Sequence, residues 1–154
     1  MSNILKWSLK KAVIAFAAIF CALVVLCAFL APLTAKTELN SVSTALYNFL
    51  HKLCSVHALT VFLIKGQPVG LCARCMGAYI TATITLYGYL HKFKINKVVY
   101  IILGALSLGE IAAEYFNLFV TNDFIMLVCG LILGFFLATS FVKILDWLEG
   151  KKGW

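Results

Sequence analysis

Four residues with soft or borderline ligand atoms, Cys54, His57, Cys72 and Cys75, follow one another as C-x2-H-x14-C-x2-C. Each half closes a small chelate ring, and the intervening loop brings the halves together, which is what tetrahedral zinc requires. Gly77, two residues past Cys75, fits the left-handed turn by which metal-binding knuckles aim N–H groups at thiolate sulfur. Arg74 is the only arginine beside twelve lysines. It sits between the paired cysteines, where its fixed charge would offset part of that of three thiolates. The C-x-x-C spacing also serves thiol–disulfide exchange, and a neighbouring arginine favours the reactive thiolate. Three cysteines and a histidine suit one metal ion, whereas two disulfides would need a thiol from a partner. His51 reads as a replacement ligand or as a solvated residue.

A second constellation is Glu110 and Glu114 in "LGEIAAEYF". Four residues apart, they share one helical face. A carboxylate at mid-bilayer costs about 3 kcal/mol even on lenient insertion scales. The pair should therefore face the protein interior, stay partly protonated, or pair with a cation. One reading is a proton or cation relay, or a general base beside the metal. The other is structural: a hydrogen bond to Tyr79, Tyr87 or Thr81, or an ion pair with Arg74.

These groups need elements to position them. The 154-residue chain is 63% hydrophobic and 12% charged, against about 25% charged in soluble domains. That excess of apolar residues implies an integral membrane protein in contact with the lipid bilayer. The net charge of +7 does not point to nucleic acid, because the lysines cluster at segment ends, where topology accounts for them. Residues 12–31 form an uncharged run with lysines before it and Pro32 at its end. It reads as a retained helix, too long for a signal peptide and followed by a poor cleavage site. Residues 32–75 form a long connection. Leu39, Val42, Leu46, Phe49, Leu50 and Leu53 recur there at amphipathic helical spacing, with Asn40 as a possible N-cap. "ALTVFLI" (58–64) suits an interfacial or half re-entrant stretch, and "KGQPVG" a turn. Further spans run over 76–90, 98–120 and 124–144. His91 lies in the basic loop between two of them, and Asp123 or Asn122 caps the last.

The expected fold is all-α: a single four-helix transmembrane bundle in the cell membrane, with an amphipathic connection outside between its first two spans. Nine basic residues fall on the side of both termini and four on the other, which places the termini in the cytoplasm and the cysteines outside. Cys21, Cys27 and Cys129 lie within spans and read as buried core thiols. Gly130 and Gly134 make a G-x-x-x-G pair that serves helix packing within the chain or in a homo-oligomer.

A C-x-x-C at the outer mouth of the second span resembles the quinone-coupled disulfide-generating enzymes of the bacterial periplasm. That resemblance implies a disulfide oxidoreductase using Cys72 and Cys75. "CARCMGAY" (72–79), with Cys54, Phe62 and Gly66 in register and Glu110, Asn122 and Gly130 at comparable places, resembles domain-of-unknown-function family number 2085. The resemblance spans about residues 54–134. Ser55 stands where that family has histidine, with His57 two positions on. Thr60 and Val61 replace Arg-Ser, and Met126 replaces an arginine. The resemblance implies a multi-pass membrane protein and assigns no reaction.

The leading expectation is thus a zinc-type site made by Cys54, His57, Cys72 and Cys75 above an intramembrane glutamate pair, alone or in a larger membrane assembly. Glu110, Glu114 and Arg74 are the catalytic candidates. The alternatives are the quinone-coupled oxidoreductase and a small cation transporter working through Glu110 and Glu114.

Overall fold

The computed structural model describes residues 2–35, 40–54, 63–64, 66–91, 96–116 and 122–148, as backbone alone at 2–8, 40, 114 and 115. Its elements are α1 (Ser2–Thr34), α2 (Asn40–Leu53), β1 (Leu63–Ile64), β2 (Gln67–Pro68), α3 (Ala73–Leu90), α4 (Lys97–Tyr115) and α5 (Asp123–Leu148). Among the described residues the chain is helical, as its composition implies, apart from one small hairpin. In that hairpin Leu63 faces Pro68 and Ile64 faces Gln67. Gly66, with φ of 78°, supplies the left-handed residue of the turn. Residues 55–62, which include His57 and most of "ALTVFLI", lie outside the described residues.

α1 has no glycine and is rich in alanine and leucine, which favours helix throughout. Pro32 does not end it, because the helix continues to Thr34 with Pro32 buried inside its last turn. A proline there lacks the N–H that would bond Ala28 O, and hydroxyls satisfy other carbonyls of the last turn. Thr34 Oγ1 donates to Leu30 O at 3.0 Å and to Ala31 O at 3.1 Å, and Ser43 Oγ of α2 donates to Ala31 O at 3.0 Å. Helix α4 is described from Lys97 to Tyr115, and residues 117–120 of the expected 98–120 span lie outside the described residues.

The four long helices alternate in direction. Val24, Ala28 and Ala31 of α1 pack with Cys72 and Met76 at the start of α3, and Ile14 and Ala18 pack with Leu86 near its end. α1 and α3 are therefore antiparallel. The Arg74 carbonyl lies against Gly130, and that of Ala78 against Gly134, so α3 and α5 run parallel. A Cβ on either glycine would sit 2.1 Å from those carbonyl oxygens. The G-x-x-x-G pair thus does intramolecular packing, bringing two backbones together. Tyr100 meets Ser140 at 2.9 Å and Gly104 lies beside Phe136, which sets α4 antiparallel to α5. In packing order α3 lies between α1 and α5, with α4 beyond α5 and α2 on α1.

Much of the surface is apolar. Phe16 is 74% exposed, Leu108 61% and Phe124 70%, on three different helices. A water-soluble chain rarely displays apolar surface on so many faces. Among the described residues, two helices are long and apolar enough to cross a membrane, Leu9–Thr34 and Asp123–Leu148.

Candidate metal centre

One end of the molecule is built around α2, the hairpin and the start of α3. Leu50 and Leu71 are fully buried there, together with Val24, Ala31 and Val69. Removing one such leucine from water is worth about 2 kcal/mol. Gly70 fits under Leu50, whose Cδ1 would lie 2.4 Å from an added Cβ. Tyr47 of α2 donates to Pro68 O at 2.6 Å and ties the helix to β2. The inward face of α2 is therefore Ser43, Leu46, Tyr47 and Leu50, while Val42 and Phe49 of the expected apolar stripe are exposed.

This core carries three cysteines to one point. Cys54 follows the last turn of α2, its N–H bonded to Leu50 O at 3.0 Å. Cys72 is the N-cap of α3, with φ −67° and ψ 158°, and its sulfur accepts the Cys75 N–H at 3.4 Å. Cys75 lies one turn further on. The Cys54 thiol donates to Cys72 Sγ at 3.3 Å, and all three sulfurs lie within 4.8 Å of one another. An ion bonded tetrahedrally to sulfur at about 2.3 Å holds its sulfurs about 3.8 Å apart. The 3.3 Å contact and the 4.8 Å limit on all three pairs are compatible with that value, so the residues fit such an ion. Cys54 and Cys72 are buried and Cys75 is half-buried.

The hydrogen bonds around the sulfurs set their acidity. The bond from Cys54 raises the Cys72 thiol pKa above its usual value, and bonds from Cys54 and then Cys72 push Cys75 up further. Three adjacent thiols resist ionising together. A dication bound among them would supply the missing charge and displace the protons.

The knuckle forms without a left-handed glycine. Gly77 lies within α3, and its role is packing: a Cβ there would be 2.6 Å from Leu127 O of α5. Arg74, in the first turn of α3, donates through Nη2 to Glu110 Oε1 of α4 at 2.7 Å, with side chains 17% and 15% exposed. The ion pair is one of the two readings the sequence offered for Glu110. Glu114 lies one turn along α4, its side chain outside the described residues. His51 is exposed on α2. His91 ends α3, its ring centroid 4.7 Å from that of Tyr87. Asn122 accepts the first backbone bond of α5 from Met126 N, and Asp123 opens the helix.

Sequence reasoning missed the surroundings of the site. Ser43 and Tyr47 hold α2 in place through bonds to distant carbonyls, which no local pattern signals. Cys27, read as an ordinary core thiol, packs against the same cluster that contains Cys54 and Cys72.

Residues 54–140 match the family described as "Predicted membrane protein (DUF2085)". The match begins at Cys54 and takes in all three clustered cysteines, Arg74 and Glu110. No curated protein and no solved structure matches the chain.

Proposed function

Because the chain belongs to the DUF2085 family of predicted membrane proteins, we propose that it is a polytopic membrane protein whose Cys54, Cys72 and Cys75 hold one soft metal ion, zinc by preference. The observation that carries this reading is the convergence of three sulfurs within 4.8 Å, two of them in a buried core. Thiolate donors select zinc among the abundant divalent ions. His57 is the proposed fourth ligand, which would close the site and make it structural. The ion then clamps the end of α2 to the start of α3. If His57 does not bind, a water or substrate takes the fourth position and metal-assisted chemistry becomes available there.

In this reading α1, α3, α4 and α5 each cross the bilayer, with both termini in the cytoplasm and the cysteine site outside. The exposed apolar faces and the alternating helix directions support it. α3 tolerates its threonines and tyrosines because α1 and α5 flank it. The Arg74–Glu110 pair supports burial of both charges at a tolerable cost.

A second reading rests on the 3.3 Å contact between Cys54 and Cys72. With Cys75 within reach of both, the trio suits thiol–disulfide exchange, with a membrane quinone as electron acceptor. Elemental analysis of protein purified under reducing conditions separates the two. The metal reading expects one zinc per chain, falling below a tenth in Cys72→Ser. A metal-free protein whose Cys54 and Cys72 form a disulfide in air, reduced and reformed with quinone, supports exchange instead.

A further inference from the structure

Beside the cysteine cluster lies an apolar groove of about 380 Å³, bounded by α1, α3 and α5. Ala82 and Leu86 of α3 form its floor, and Ala17 of α1 and Leu137 of α5 stand on its two sides. Cys75 and Tyr79 line the end nearest the cysteine cluster, Cys21 of α1 lines it further along, and the rest of the lining is apolar or glycine. Leu137 is 53% exposed, so that wall opens to the surroundings.

The dimensions decide what fits. Along α3 the lining runs from Cys75 to Leu86, eleven residues or about 16 Å of helix. Spread over about 16 Å, the volume of about 380 Å³ open to the centre of a water molecule gives a channel about 8 Å from wall to wall, once the water radius of about 1.4 Å is added on each side. A helix with side chains is about 10 Å wide and does not enter. An extended methylene chain, whose carbons pack at about 4 Å, does. The depth agrees as well. A groove of about 16 Å that starts where α3 starts reaches about half-way through a hydrocarbon core of about 30 Å, the depth of one leaflet.

We propose that this groove binds a single fatty-acyl chain from the outer leaflet, its polar end lying at Cys75 and Tyr79 beside the cysteine cluster. The proposal rests on the membrane reading above and not on the metal. The small side chains of Ala17 and Ala82 make the space, and a larger residue at either position fills it.

The test uses the full chain reconstituted in bilayers containing a trace of palmitic acid with a mid-chain diazirine. After irradiation, adducts are mapped by peptide mass spectrometry. The expected result is adducts concentrated on Ala82–Leu86 and Leu133–Leu137. Ala82→Phe should lower them at least fivefold, and Ala17→Leu should do the same from the opposite wall. Labelling of the Val98–Leu108 stretch of α4, which faces bulk lipid, should stay unchanged in both. A tryptophan-fluorescence melt verifies that each variant is folded, and either folded variant suffices. Groove adducts no denser than those on α4, or groove adducts that persist in a folded variant, overturn the proposal. Failure of the membrane reading would look different: the protein would leave membranes on alkaline washing, without detergent. Cys72→Ser separates the metal, since it should leave groove labelling intact whether or not zinc is lost.

Discussion

At the scale of residues, the Arg74–Glu110 contact has the larger energetic consequence. Both side chains are mostly buried, and each charge is offset by the other across the ion pair. Removing one partner from a buried pair costs about 3–5 kcal/mol, because the remaining charge loses its counter-charge, while replacing both with apolar residues costs far less. Arg74→Met and Glu110→Gln should each destabilise the protein by about 3 kcal/mol, whereas Arg74→Met with Glu110→Met should lie within about 1 kcal/mol of the wild type. Denaturant titration in detergent, followed by tryptophan fluorescence, measures all three; additive losses in the double variant would show that the two charges are independent. The sequence displayed both residues and offered the pair as one of two readings, but a contact across 36 positions comes only from the helix arrangement. The cysteine cluster was easier to read, since Cys72 and Cys75 are brought close by a single helical turn. Gly77 was misread because left-handed turns and helix crossings both select glycine, and one sequence does not say which.

At the scale of elements, the α3–α5 crossing is set by glycines. A methyl group at Gly130 or Gly134 meets backbone oxygen at 2.1 Å, and backbone cannot swing aside as a side chain does. Gly130→Ala and Gly134→Ala should each cost about 1–3 kcal/mol by overpacking. Gly109→Ala is the control on α4, where an added Cβ meets nothing within 4 Å. It should gain up to about 1 kcal/mol from helix propensity. Equal melting shifts for all three would place the crossing elsewhere. The existence and order of the helices were legible because long apolar runs leave few other folds. The rotation of α2 was not. Hydropathy favoured a stripe through Val42 and Phe49, yet Ser43 is buried, because Ala31 O in the last turn of α1 needs a donor and the Ser43 hydroxyl supplies one. Val42 and Phe49 are left outside. Pro32 misled for a different reason: it lies inside the last turn, and the helix runs to Thr34 before it stops.

At the scale of the whole molecule, charge and packing divide the two ends in the same way. One end holds Lys10, which pairs with Asp146, and Lys143, whose Nζ lies 3.4 Å from the centre of the Tyr100 ring. The start of α4 at Lys97 lies at this end too, with Trp147 77% exposed, a residue type enriched at membrane interfaces. The other end holds α2, the hairpin and the cysteines, and among the described residues its lysine and arginine are Lys52 and Arg74. Positive charge is retained on the cytoplasmic side, so the proposed orientation puts Lys97 inside and Lys52 outside. Both residues are exposed, which makes the orientation testable without disturbing the core. In Lys52→Cys, a membrane-impermeant maleimide added to intact cells should label the protein well above the wild-type background, whose thiols are buried or half-buried. In Lys97→Cys, labelling should stay at background until the cells are permeabilised. The reverse pattern would turn the molecule over and place the metal centre in the cytoplasm. Labelling of both variants in intact cells would mean that the two ends lie on the same side of the membrane, which helices alternating across a bilayer do not permit.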